Sequence, residues 1–126
     1  MKANIVVFGL IGVIILSLLG YYAYYQSTPG PLDSFAACLE EKGAVFYGAF
    51  WCPHCQATKA LFGKSASKLP YVECSTPDSQ GQLKVCKDKG IQSYPTWIFS
   101  DGSILTGERS LQELADKTSC PLPSNA

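Results

Sequence analysis

Residues Trp51-Cys52-Pro53-His54-Cys55 hold the chemistry of this chain. Two cysteines with two residues between them can close a small disulfide and open it again. The first can attack as a thiolate while the second resolves the mixed disulfide that forms. The apolar run Ala44 to Phe50 before the motif reads as a buried strand, and Pro53 to about Phe62 after it reads as a helix. Cys52 then sits where a strand passes into a helix N-terminus. Unpaired backbone N–H groups and the helix dipole at that point favour a thiolate. Pro53 suits the first helical position because it has no N–H to leave unpaired. His54 is the only histidine in the chain, and its expected part is to support the Cys52 thiolate by partial positive charge and hydrogen bonding. A Cys-x-x-Cys can also be half of a zinc site, with Cys74 and Cys86 supplying two further thiolates. Zinc sites join two short knuckles, whereas this pair opens a helix, so no metal is expected.

The motif, followed by Tyr94-Pro95-Thr96, resembles the thioredoxin superfamily. The resemblance implies a cis Tyr94–Pro95 bond beside the dithiol. It also implies a wall of Tyr94, Pro95 and Thr96 whose backbone pairs with an extended substrate segment, and Trp51 at the rim. A wider set of residues is similar to the thioredoxin-like domain found fused to bacterial vitamin K epoxide reductase homologues, a domain that also occurs as a separate membrane-tethered protein. The set is Phe46 to Gln56, Leu61-Phe62-Gly63, Tyr71-Val72-Glu73-Cys74, Gly90-Ile91 and Tyr94 to Trp97. The resemblance covers roughly residues 33–120. What this implies is disulfide exchange outside the cytoplasm, with electrons passed to a quinone-linked membrane enzyme. One departure stands out. Thioredoxins and periplasmic disulfide oxidases usually carry a buried carboxylate where this chain has Phe46. Deprotonation of Cys55 then falls to water, Lys59 or the partner protein.

The chain has 126 residues and no formal net charge, enough for one domain and an appendage. Residues 5–25 are apolar apart from Ser17 and the terminal tyrosines, and about twenty such residues span a bilayer as a helix. Tyr21, Tyr22, Tyr24 and Tyr25 crowd one end as an interfacial belt would. A cleaved signal peptide is the competing reading, but the run is long and no small-x-small pair follows it clearly. The expectation is an uncleaved signal anchor. Residues 1–4 would be cytoplasmic, since Lys2 precedes the run and the next positive charge is Lys42. Residues 26–32 form a Pro/Gly linker, 33–120 the domain and 121–126 a tail. The domain is thereby placed in a periplasm, a thylakoid lumen or a cell exterior, and six cysteines suit an oxidising compartment. Nucleic acid is not expected as a partner: ten basic and ten acidic side chains, of which only Lys2 precedes residue 33, form no basic run.

Within the domain, Asp33 is expected to cap a helix that runs to Glu41 and ends at Gly43. Strands follow at Ala44–Phe50 and Pro70–Cys74. A short helix spans Leu83–Lys89, and a hairpin turns at Asp101-Gly102 between Thr96–Ser100 and Ser103–Thr106. Ser110 with Glu113 forms a capping box for a last helix. Phe46, Phe50 and Phe99 are expected in the core, and Trp97 as ordinary packing. The order predicts an α/β fold, a thioredoxin-like four-stranded mixed sheet with helices on both faces, preceded by one transmembrane helix. Cys74 and Cys86 either staple the loop between them or form a second redox relay. The absence of an activating helix N-terminus favours the staple, as does the resemblance. Cys38 and Cys120 are either packed thiols or a pair pinning the tail to the first helix.

The reading is a membrane-anchored thiol–disulfide oxidoreductase with Cys52 and Cys55 as its catalytic pair. Trp51, Pro53, His54, Tyr94, Pro95 and Thr96 support them. It would oxidise thiols of secreted proteins and be reoxidised by a vitamin K epoxide reductase-like membrane protein. No cofactor is expected, because the chain has no Gly-rich nucleotide fingerprint. Two alternatives are a disulfide reductase or isomerase and a redox-idle tethered binding module.

Overall fold

The computed structural model describes residues 2–124. Met1 of the expected cytoplasmic segment, and Asn125 and Ala126 of the tail, lie outside the described residues. Strand β1, Val45–Gly48, organises the domain. It pairs in parallel with β2, Tyr71–Glu73, on one side and antiparallel with β3, Thr96–Ile98, on the other. The hairpin partner of β3, β4 at Ile104–Thr106, completes a mixed sheet in the order β2-β1-β3-β4. A parallel pair needs a crossover. Here it is α3, Pro53–Phe62, continued by a 3-10 segment at Gly63–Lys68. The remaining helices are α1 (Lys2–Ser27), α2 (Asp33–Glu41), α4 (Lys84–Asp88) and α5 (Leu111–Thr118).

Register decides the core. Phe46 stands opposite Tyr71 on β2 and Trp97 on β3, so three rings share one face of the sheet. Phe46 stacks on Trp97 with centroids 4.8 Å apart and meets Tyr71 edge-on at 5.1 Å. Phe35 and Leu39 of α2, Phe62 of α3 and Leu114 of α5 close over that face, all fully buried. The opposite face presents Val45, Tyr47, Val72 and Ile98, and packs against Cys86 of α4 together with Cys74 and Ile91. Helices therefore cover both faces, as the pattern of apolar residues predicts.

Several local expectations are corrected. β1 ends at Gly48, because the chain turns there: the Cys52 N–H donates to the Ala49 carbonyl at 3.0 Å. Phe50 is consequently outside the core and 46% exposed. The cap of α2 is Leu32, without a side-chain bond, and Asp33 lies in the first turn. The Asp33 carboxyl instead engages the Ser65 hydroxyl, which holds it below the usual carboxylate range. Helix α1 runs on through Ser27. Side chains bond back along it there, Gln26 Nε2 to the Tyr22 hydroxyl at 2.9 Å and Ser27 Oγ to the Tyr24 carbonyl at 2.8 Å. The capping box at Ser110 and Glu113 is present with both of its reciprocal bonds. The hairpin turns with Gly102 at φ +79°, a left-handed value that a glycine adopts without strain.

Two disulfides brace this small domain. Cys38–Cys120 joins α2 to the segment after α5, with Cα atoms 5.9 Å apart. Cys74–Cys86 joins the end of β2 to α4, with Cα atoms 5.5 Å apart. Helix α1 is different in kind: Val6–Ser27 is long and apolar enough to cross a membrane. Its large apolar side chains, from Val6 to Tyr25, stand exposed rather than packed on the domain.

The two bridges close loops of different length, with sequence separations of 12 and 82. Loop entropy gives about 3 kcal/mol for the shorter and roughly 4.5 kcal/mol for the longer. Replacing Cys74 and Cys86 by serine is therefore expected to lower the thermal midpoint of the full chain in detergent by at least ~10 °C. The Cys38→Ser, Cys120→Ser variant should lose at least as much. Circular dichroism melting checks both.

Candidate active site around Cys52 and Cys55

Cys52 is the N-cap of α3, with extended backbone (φ −77°, ψ 119°), and Pro53 occupies the first helical position. The Gln56 N–H returns to the Cys52 carbonyl at 3.1 Å and closes the first turn. One helical turn brings Cys55 round to face the sheet. Neither sulfur is bridged, and both are buried, Cys52 at 5% exposure and Cys55 at 1%. Cys55 lies directly on β1. A Cβ added at Gly48 would stand 2.9 Å from Cys55 Sγ and 2.9 Å from Tyr71 Cε2. A strand glycine of this kind marks the close approach of another group, and the group here is the second sulfur. Burial pushes the Cys55 thiol up to about 12, with the Ala49 backbone and, to a smaller extent, Lys59 acting in the opposite sense.

The facing wall is the segment before β3. The Tyr94–Pro95 peptide bond is cis. The Tyr94 carbonyl is the polar neighbour of Cys52 Sγ, at 3.7 Å. Pro95 is fully buried, and the buried Thr96 hydroxyl donates to the Ser93 carbonyl at 2.7 Å. Trp51 is half exposed. Its ring meets that of Tyr94 edge-on at 6.0 Å, and its indole N–H donates to Ser75 Oγ at 2.8 Å. Tyr94 is fixed in turn by Gln82, whose amide nitrogen donates to the Tyr94 hydroxyl at 2.8 Å. Ser75 and Gln82 form an isolated bridge with each other. Ser75 directly follows Cys74, so the Cys74–Cys86 disulfide braces the loop that holds both rim aromatics.

His54 is placed differently from the expectation. Its Nδ1 lies 2.5 Å from Glu108 Oε1, with the imidazole largely exposed. The hydrogen bond thus crosses to the segment between β4 and α5 and does not reach Cys52. Sequence reasoning also missed a clasp beneath the dithiol. Glu73 Oε1 accepts from the Phe50 N–H at 3.2 Å and the Ser75 N–H at 2.9 Å, while Oε2 accepts from the Tyr71 hydroxyl at 2.7 Å. Lys59 Nζ sits 3.4 Å from the centroid of the Tyr71 ring. A charged residue in an otherwise apolar strand was the signal for Glu73. Among the described residues, no group of three or more His, Cys, Asp or Glu side chains could hold a metal ion.

An exchangeable cysteine pair at a helix N-terminus, facing a cis-proline on a four-stranded mixed sheet, defines a class of protein. The sequence matches the Thioredoxin family over residues 33–119. The chain belongs to that family, and Cys52–Cys55 is the closely spaced pair of a redox-active thiol–disulfide oxidoreductase site. It is also similar to a protein of Arabidopsis thaliana named thiol-disulfide oxidoreductase LTO1, 47% identical over 90 residues. The match takes in 68% of this chain but only 23% of that relative, so the chain spans about a quarter of the relative's length. Among the described residues one helix is long and apolar enough to cross a membrane, and it precedes the thioredoxin domain, an order consistent with a single-pass membrane protein with an extracytoplasmic domain.

Two outcomes follow from the packing of Cys55. Gly48→Ala forces a methyl group against its sulfur and the Tyr71 ring, and is expected to destabilise by about 1–3 kcal/mol, read as a shift in urea midpoint. Second, the folded thiol binds its proton more tightly than the ordinary thiol at 9.0. Its contribution is complete below pH 9 and is lost as pH rises towards about 12. The reduced protein should therefore lose stability across that range faster than Cys55→Ala, as denaturation at stepped pH would measure.

Proposed function

We propose that this chain is a membrane-anchored thiol–disulfide oxidoreductase that acts outside the cytoplasm, mainly as an oxidant of thiols in secreted proteins. The observation that carries it is the pairing of Cys52 and Cys55 across the first turn of α3, opposite cis-Pro95. In the reaction a substrate thiolate attacks Cys52 Sγ of the closed disulfide, and Cys55 departs with the bonding electron pair. The substrate's second thiolate then attacks its own sulfur in the mixed disulfide and releases Cys52. One substrate disulfide forms, and the domain keeps two electrons and two protons as a dithiol. In this reading the substrate segment pairs with the backbone beside Tyr94, Pro95 and Thr96, and Trp51 stands at the rim. His54 and Pro53 flank the dithiol on the α3 side.

Two braced disulfides elsewhere in the domain suit an oxidising compartment. Residues 5–25 act in this reading as an uncleaved anchor, residues 26–32 as linker and residues 33–120 as the domain. A dithiol stops after one turnover unless its electrons leave. The name of the plant relative supports thiol–disulfide exchange, and the sequence resemblance to domains fused to vitamin K epoxide reductase homologues suggests a quinone-linked membrane enzyme of that kind as the acceptor.

The test has three arms. Cys55→Ala, kept in membranes, should accumulate Cys52 mixed disulfides with secreted proteins and with a multi-span membrane protein. Cys52→Ser with Cys55→Ser should abolish rescue of a disulfide-formation defect; survival of rescue would instead identify a tethered binding module. A glutathione-buffer titration of the native pair is expected nearer −120 to −180 mV than −270 mV, and a value at the lower end would assign reduction in place of oxidation.

A further inference from the structure

Exchange at Cys52 requires Cys55 to appear as a thiolate, whether it leaves in the oxidising direction or attacks in the reducing one. The site makes that difficult, since Cys55 is buried against β1 and Phe46 takes the place where related proteins carry a carboxylate. The structure assigns a substitute. We propose that Lys59, seated on the Tyr71 ring that Glu73 holds by its hydroxyl, is the positioned charge that stabilises the Cys55 thiolate during exchange.

The placement comes from three elements. Lys59 follows Cys55 by four residues on α3, so the two side chains share one helix face. The ring of Tyr71, from β2, touches the same point above Gly48 as Cys55 Sγ and carries the Lys59 ammonium at 3.4 Å from its centroid. Glu73 completes the seat. Its Oε2 fixes the Tyr71 hydroxyl while its Oε1 is taken by the Phe50 and Ser75 N–H groups. The carboxylate is thereby kept occupied, and Lys59 makes no ion pair among the described residues. An ammonium held over a ring face keeps its charge available to a neighbouring anion.

The charged and titratable groups around Cys55 are few. Cys52 and Lys59 come from α3, and Tyr71 and Glu73 from β2. On this face β1 presents Phe46 and Gly48, and the cis-proline segment presents the Tyr94 carbonyl. Burial raises the Cys55 thiol most and Cys52 raises it further; the Ala49 backbone lowers it by hydrogen bonding, and Lys59 is the one charge that lowers it. In the reducing direction Cys55 loses its proton to solvent base, attacks Cys52 Sγ and expels the substrate thiolate. In the oxidising direction it leaves as the thiolate and takes a proton from solvent. The ammonium keeps its own protons throughout, which makes Lys59 a positioning residue.

The inference rests on the redox reading above, and the test separates them. The native full chain in detergent and its variants are loaded at Cys52 with glutathione, and the release of glutathione by Cys55 is followed against pH. Lys59→Met is expected to slow release about tenfold or more near neutral pH and to move the inflection upward by roughly one pH unit. Lys59→Arg should restore both, because it returns the charge. Release from folded Lys59→Met within twofold of native and with an unmoved inflection overturns the proposal alone. Equal slowing in Lys59→Arg and Lys59→Met also overturns it, by assigning Lys59 a packing role. A native chain that forms no Cys52–Cys55 disulfide in glutathione buffer overturns the redox reading and this inference with it.

Discussion

The domain depends on one close contact, the seating of the Cys55 sulfur on the bare backbone of β1 at Gly48. A side chain there would meet both that sulfur and the Tyr71 ring. With glycine, α3 can lie low enough on the sheet for Phe62 and Cys55 to enter the same core as Phe46 and Trp97. The Gly48 carbonyl then accepts from the Cys74 N–H at 2.8 Å, which continues the β1–β2 pairing to the cysteine of the short bridge. Sheet register, helix height and dithiol geometry thus meet at one residue. The consequence is a resolving sulfur in an apolar setting, where a thiolate is costly unless a charge stands near it.

The rest of the site hangs on the segment after β2. Glu73 grips the turn that carries Phe50. Ser75 holds Trp51, Gln82 holds Tyr94, and Cys74–Cys86 closes the loop between these groups. A short loop of polar residues therefore sets the rim of the dithiol. The long bridge, Cys38–Cys120, works at the far side of the core between α2 and the end of α5. In a domain with so little interior, covalent links supply what burial alone does not.

The elements that could be read in the sequence are those specified by near neighbours. The Cys-x-x-Cys opening a helix, the Asp101-Gly102 turn and the Ser110–Glu113 box each lie within a few residues, and each forms as the local chemistry dictates. What could not be read depends on partners far along the chain. Phe50 looks like a core strand residue until the turn into Cys52, clasped from β2, carries it outward. Asp33 looks like a cap until Ser65 offers it a hydroxyl. His54 looks like a partner for Cys52 until Glu108 arrives from beyond β4. In each case a bond between groups distant in sequence displaces a locally reasonable one.

The linker shows how the membrane helix bears on the chemistry. Prolines at 29 and 31 suggest a stiff spacer, but the segment is also docked. The Leu32 N–H donates to Ser65 Oγ at 3.0 Å, and Gly30 lies so close to Ser65 that a Cβ there would stand 2.2 Å from its hydroxyl. Lys64 donates to the Tyr25 carbonyl and, at 2.7 Å, to Thr28 Oγ1. It brings a cation to the C-terminal end of α1, whose own last turn has none. The end of α1 is therefore tied to the 3-10 segment that continues α3, and the ten residues of α3 rise about 15 Å to Cys52 at their other end. Helix α3 acts as a strut between the anchor and the dithiol. For a partner in the same bilayer, as proposed above, that strut fixes how far its own cysteines must reach, and the docked linker limits the volume the dithiol searches.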